Sequence, residues 1–95
     1  MAGGWLYIMT NRPNGTLYVG VTADLQRRVW QHRTGAVEGF TQRYELERLV
    51  YAEHHEEIRE AIRREKAIKR WRRAWKVRLI QGSNPEWADI TDTLI

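Results

Sequence analysis

The sequence predicts an α+β fold, an α/β sandwich in layout: a small, mainly antiparallel three-stranded sheet flanked by helices, in the order β-β-α-β-α-α. Three observations predict it. Two short β-prone runs bracket a segment dense in turn formers, two later stretches repeat apolar residues at helical spacing, and a third β-prone run lies between those stretches.

Residues 5–9 (Trp-Leu-Tyr-Ile-Met) and 17–21 (Leu-Tyr-Val-Gly-Val) flank Asn11-Arg12-Pro13-Asn14-Gly15, which reads as a β-hairpin. Period-two alternation puts Leu6 and Ile8 on one face of the first strand and Tyr7 on the other. In the second strand Leu17, Val19 and Val21 share a face, and Tyr18 and Gly20 share its opposite. The two tyrosines are therefore expected on one side of the hairpin.

Thr22 is a suitable N-cap, with Asp24 favourable in the first turn, for a helix over about 23–33 that ends before Gly35. Leu25 and Val29 mark its buried side. Arg28 and His32, four residues apart, flank that side, while Arg27 and Trp30 point away. Residues 34–44 read as a loop with two glycines and 45–53 as the third strand. A helix over roughly 56–69 follows, then an interruption at Arg70–Arg73 and a last helix to about Ile80, closed by Gly82-Ser83-Asn84-Pro85. His54, His55, Glu56 and Glu57 form a local cluster. Neighbours on a strand point to opposite faces, so no metal site is read there.

At 95 residues the chain is expected to be one domain spanning 1–95, with room for one modest core. A hydrophobic fraction of 42% with five Trp suits a folded chain rather than a disordered one. Zero cysteines exclude disulfides, thiolate zinc sites and a Cys nucleophile. No apolar run approaches a membrane span and the start carries no basic leader, so no membrane partner is expected and the expected location is the cytoplasm.

The net charge of +4 is unevenly spread. Residues 59–78 hold ten Lys/Arg against two Glu, a balance of +8, so the remainder carries −4. Such a stripe is an electrostatic footprint for a polyanion, nucleic acid first. Arg63, Lys66, Lys69, Arg70, Arg72 and Arg73 are its candidate contacts, and Trp71 and Trp75 interleave with them in a way that suits either base stacking or core packing.

One residue breaks the pattern. At about 100° per residue, Ile58, Ala61, Ile62 and Ile68 share a face, and Glu65 lies near the middle of that stripe, whereas Arg63, Arg64 and Lys66 fall elsewhere. A lone inward carboxylate is expensive unless a cation or hydrogen-bond donors compensate it. Glu65 therefore reads either as a metal ligand or as half of a structural ion pair.

The inward or shared-face polar residues are Tyr7, Tyr18, Arg28, His32 and Glu65. Together they resemble the GIY-YIG nuclease superfamily, in its small single-domain bacterial branch. Trp5-Leu6-Tyr7 stands for the first half of the signature, with Trp and Leu where the name has Gly and Ile. Tyr18-Val19-Gly20 stands for the second, followed at matching spacing by Thr22, Leu25, Arg28 and His32. Glu65 falls where the family carries its metal-binding glutamate, and Asn84 is similar to a late asparagine of the motif.

The resemblance implies a metal-dependent endonuclease acting on nucleic acid, with DNA ahead of RNA and neither excluded. Its catalytic residues would be Tyr7, Tyr18, Arg28, His32 and Glu65. With one inward acid, the chain points to a single divalent ion held by Glu65, Mg²⁺ or its substitute Mn²⁺. Arg28 would hold the scissile phosphate with its planar donor fork. A tyrosine is the implied general base, with Tyr7 and Tyr18 both candidates, and His32 would relay the proton or orient a phenol. Two alternatives stand beside this reading: a nucleic-acid-binding module that needs a partner to cut, and a protein-interaction domain that uses the basic face.

Overall fold

A computed structural model describes residues 3–35 and 45–94. Strands β1 (Gly4–Thr10), β2 (Leu17–Thr22) and β3 (Arg48–His55) form one antiparallel sheet in the order β2-β1-β3. The helices are α1 (Leu25–Thr34), α2 (Ile58–Lys69), α3 (Arg73–Ser83) and a four-residue turn of helix, α4 (Thr91–Leu94). The expected element order holds, with α4 as an addition. The expected loop falls largely outside the described residues, since 36–44 are not among them.

The β1–β2 turn forms because Asn14 takes a left-handed conformation (φ 57°) and Asn11 Oδ1 accepts the Thr16 amide at 3.1 Å. Pairing puts Tyr7 opposite Gly20 and Met9 opposite Tyr18. The alternation then sorts the core into two layers. Leu6, Ile8, Val19 and Val50 pack with Ile68 of α2, Ile80 of α3 and Trp87 beyond it. Tyr7, Met9 and Leu49 pack with Leu25 and Val29 of α1 and with Leu46. The sheet is thus covered on both faces, α1 on one and α2 and α3 on the other.

Five boundaries differ from the sequence reading. Asp24, not Thr22, caps α1: its Oδ1 accepts the Arg27 amide at 3.1 Å, while Thr22 Oγ1 accepts the Asp24 amide just ahead of the helix. The third strand begins three residues later than expected, after Glu45 turns left-handed (φ 55°), and runs on through His54 and His55, which pair with Trp5 and Gly4. Helix α2 starts at Ile58 rather than near 56, and α3 runs three residues past Ile80 to Ser83.

A β-bulge interrupts the β1–β3 register at Ile8/Met9, where the partner changes from Tyr51 to Leu49. It resets the alternation in β3, so Val50 and Tyr51 both join the layer under α2 and α3. Glu53 and His55 follow Tyr51 at period two, beneath Arg64 of α2.

Candidate active site

Tyr7 lies in the central strand with its side chain fully buried on the α1 face. A glycine must sit opposite it. A Cβ on Gly20 would lie 2.6 Å from the Tyr7 hydroxyl and 2.9 Å from the Tyr18 ring, closer than real contacts allow. The tyrosine-x-glycine spacing in β2 therefore makes room for the phenol of β1.

Helix α1 brings two polar groups onto that phenol. His32, 3% exposed, sets its Nε2 2.9 Å from Tyr7 Oη, and Arg28 Nε donates to the same oxygen at 3.2 Å. The i,i+4 spacing of Arg28 and His32 puts both on the face turned to the sheet. Tyr18 completes the group, its ring centroid 5.4 Å from that of His32 and 6.2 Å from that of Tyr7. Arg28 also donates to Gln31 Oε1 at 3.3 Å.

Burial pushes the Tyr7 hydroxyl well above the usual phenol range, with the Arg28 hydrogen bond opposing and Tyr18 adding to the shift. Burial, and then the Arg28 charge, hold His32 down at about 4. The hydrogen bond to Tyr7 strengthens the hold of Arg28 on its proton. At neutral pH the cluster is therefore a neutral phenol, a neutral imidazole and a guanidinium. Both described hydrogen-bond acceptors of Arg28 are neutral oxygens, and among the described residues it forms no ion pair. His32 Nδ1 is buried and has no hydrogen-bond partner among the described residues.

The chemistry open to this arrangement is specific. A guanidinium without an ion pair among the described residues, beside a buried phenol, has donors to offer an anion, and two oxygens of a tetrahedral phosphate match its planar fork. Tyr7 Oη can accept from Arg28 while passing its own proton to the neutral His32 Nε2.

Residues 3–78 match the GIY-YIG catalytic domain. The chain belongs to the GIY-YIG family. Its relatives include UPF0213 proteins of Staphylococcus aureus strains Mu50 and N315, each 38% identical over 68 residues that cover 72% of this chain and 83% of theirs. Among solved structures it is similar to the solution NMR structure of a UPF0213 protein from Bacillus halodurans. There the identity is 27%, the TM-score 0.58, and 95% of each chain is covered. Membership in this small GIY-YIG branch points to a nuclease.

The first GIY-YIG triplet reads Trp5-Leu6-Tyr7 here; Leu6 faces the opposite core layer, while Trp5 packs against the layer that holds Tyr7. Of the five expected site residues, four meet in the cluster around Tyr7. Glu65 lies on α2, which packs on β1 and β2 from the other face, and its side chain, 15% exposed, pairs with Lys69 Nζ at 3.1 Å. Its expected stripe is only partly buried: Ala61 and Ile68 are enclosed, whereas Ile62 is exposed. Asn84 is also elsewhere. Buried at the end of α3, it donates to the Val50 and Ala88 carbonyls at 3.0 and 2.8 Å and accepts the Ala88 amide at 3.0 Å.

The expected nucleic-acid contacts divide. Lys66, Arg70 and Arg72 are exposed, Arg63 and Lys69 pair with Glu60 and Glu65 along the helix, and Arg73 donates to the Asn14 and Gly15 carbonyls of the β1–β2 turn. Arg64, expected on the solvated side, is half-buried. It donates to Glu53 Oε2 at 3.0 Å and stacks over Trp71, its guanidinium 5.2 Å from the ring centroid. Glu53 also takes the Tyr51 hydroxyl at 2.5 Å and contacts His55 Nε2 at 2.6 Å. The sequence reading missed this second cluster, although Tyr51, Glu53 and His55 stand at period two on one strand.

Proposed function

We propose that the protein is a divalent-metal-dependent endonuclease hydrolysing phosphodiester bonds, with DNA as the first substrate to test. The observation that carries this reading is Arg28, a guanidinium without an ion pair among the described residues, hydrogen-bonded to a buried phenol that is itself bonded to a neutral histidine. A substrate phosphate is the anion that completes it. Binding that phosphate offsets the Arg28 charge, the second cause holding His32 down, and so makes the imidazole a better proton acceptor.

Hydrolysis then needs one proton movement on the attacking side. Water oxygen bonds to phosphorus and the bond from phosphorus to the leaving sugar oxygen breaks. The water proton passes to Tyr7 Oη as the phenol proton passes to His32 Nε2, and the leaving oxygen takes a proton from solvent. Tyr7 is the proposed base on the strength of its hydrogen bond to His32 Nε2. Tyr18 packs against both rings and keeps them in place.

Glu65 would hold the metal ion. Its oxygens are hard donors, its present counter-ion Lys69 is half exposed, and Mg²⁺ takes one or two carboxylates with water and phosphate completing its shell. When bound, the ion supplies charge neutralisation for the phosphoryl oxygens, and Mn²⁺ would substitute for Mg²⁺. Lys66, Arg70 and Arg72 would contact the nucleic-acid backbone.

The test is cleavage of a labelled panel of single-stranded, duplex and branched DNA and RNA in Mn²⁺, with wild type beside Glu65→Ala. Cutting by wild type alone is expected. No cutting of any substrate, with binding intact, would replace the endonuclease with a binding module that needs a partner. Equal cutting by both proteins would remove Glu65 from the mechanism.

A further inference from the structure

The junction between α2 and α3 places Trp71 and Trp75 edge to face, with ring centroids 6.3 Å apart. Trp71 is anchored, half-buried against the core layer of Leu6 and Ile8, whereas Trp75 is 47% exposed. With Arg78 and Leu79 they line an open groove of about 320 Å³, at the small end of ligand sites, which run from about 300 to 1,000 Å³. Each ring carries a guanidinium: Arg64 lies over Trp71, and Arg72 lies 5.8 Å from the centroid of Trp75. Glu53 holds Arg64 in its position, so that stack is pre-organised.

The charge around the groove has one sign. From Lys66 to Pro85 the chain holds seven Lys/Arg and no Asp or Glu. A single exposed Trp on a small protein needs no explanation. Two that line one groove, each beside an arginine, in a stretch without acids, fit a ligand that joins a flat π-surface to negative charge. An acidic peptide would satisfy the cations and leave the rings unused. In a duplex the base faces are hidden in the stack and only the edges are on view, so rings of this kind engage a base that has left the stack.

We propose that the Trp71–Trp75 groove is a stacking site for an unpaired nucleobase, with the neighbouring arginines on its flanking phosphates, so that this protein favours single-stranded or bulged nucleic acid over perfect duplex. The inference rests on the nucleic-acid reading above and adds the structural class of the substrate. It does not depend on cleavage.

The experiment is fluorescence anisotropy in EDTA with three labelled probes: an oligothymidine, a blunt duplex, and that duplex carrying one unpaired thymine. Wild type, Trp75→Ala and Trp75→Phe are compared, with circular dichroism melts to verify folding. Wild type is expected to prefer the oligothymidine and the bulged duplex. Trp75→Ala should lose about 5- to 150-fold in affinity for those two and little for the blunt duplex, while Trp75→Phe keeps most of the preference. Equal binding of all probes by wild type, or a uniform loss in Trp75→Ala, overturns the proposal. So does a concentration-dependent dimer in sedimentation that Trp75→Ala dissolves without changing probe affinity, which would assign the groove to a second copy of the chain. Failure to bind any probe sinks the nucleic-acid reading as well. Mn²⁺-dependent cleavage by a Trp75→Ala protein that still discriminates like wild type sinks this inference alone.

Discussion

The two faces of the sheet carry clusters of similar composition and opposite electrostatics. On the α1 face Tyr7, His32 and Arg28 meet at a phenol oxygen; on the other, Tyr51, His55 and Arg64 meet at the carboxylate of Glu53. In the second, burial pushes the Glu53 carboxyl up, but bonds from Tyr51, His55 and Arg64 outweigh it and hold the group below the usual range. Burial pushes Tyr51, which donates to Glu53, up to about 12. That cluster closes on itself, with an anion already bound by its cation and donors. The first has the cation and donors without the anion. The same three residue types therefore make a brace where a carboxylate sits at the centre and, on the proposed function, a receptor where none does.

The largest expected effect comes from breaking the receptor. Arg28→Ala should lower kcat by about 10²–10³-fold, the range seen when a donor to developing charge is removed. Arg28→Lys should recover only part of that, since an ammonium cannot reproduce the planar fork. Both are read in single-turnover cleavage with Mn²⁺. Tyr7→Phe removes the proposed base and should cost about 10²-fold or more in kcat while substrate affinity changes little.

Breaking the brace should act on stability instead. Glu53→Ala leaves Arg64 half-buried without its carboxylate and should cost about 2–3 kcal/mol in urea denaturation, with turnover per folded molecule near wild type. Loss of turnover with stability unchanged would reverse the roles of the two faces. Asn84→Ala strips partners from the Val50 and Ala88 backbone and should cost about 2 kcal/mol.

The smallest effect sharpens the comparison through pH. His32 has a folded pKa of about 4, below its ordinary 6.5, so between those values the unfolded chain binds the proton and the folded one does not. Stability should therefore rise with pH through that window, and on the order of 2 kcal/mol should be lost as pH falls from 6.5 to 4. His32→Gln should flatten this limb. An unchanged acid limb in His32→Gln would show that the imidazole is not held neutral.

What the sequence revealed and what it hid divide along physical lines. Tyr7, Tyr18, Arg28 and His32 were legible because strand period two and helical i,i+4 spacing each place two of them on a common face, and no irregularity intervenes between them. The second cluster was hidden by the bulge, which shifts the phase of β3 at Val50–Tyr51, and by Arg64, which looks solvated when α2 is read as an isolated wheel. Trp87 joins the core layer from a loop, in a left-handed conformation (φ 58°) that no periodicity marks. Glu65 was legible as a half-buried acid, but its Lys69 partner lies one turn away on the same helix rather than across the fold.

The most direct test of the central claim is single-turnover cleavage in Mn²⁺ by wild type, Arg28→Ala and Glu53→Gln in parallel, with the folded fraction of each fixed by circular dichroism. Enzyme is held in saturating excess, so that weaker substrate binding through Arg64 does not enter the rate. The account then predicts cutting by wild type and by folded Glu53→Gln at similar rates, and a loss of at least about 100-fold in Arg28→Ala. Cleavage by Arg28→Ala at the wild-type rate, or loss confined to Glu53→Gln, would contradict it.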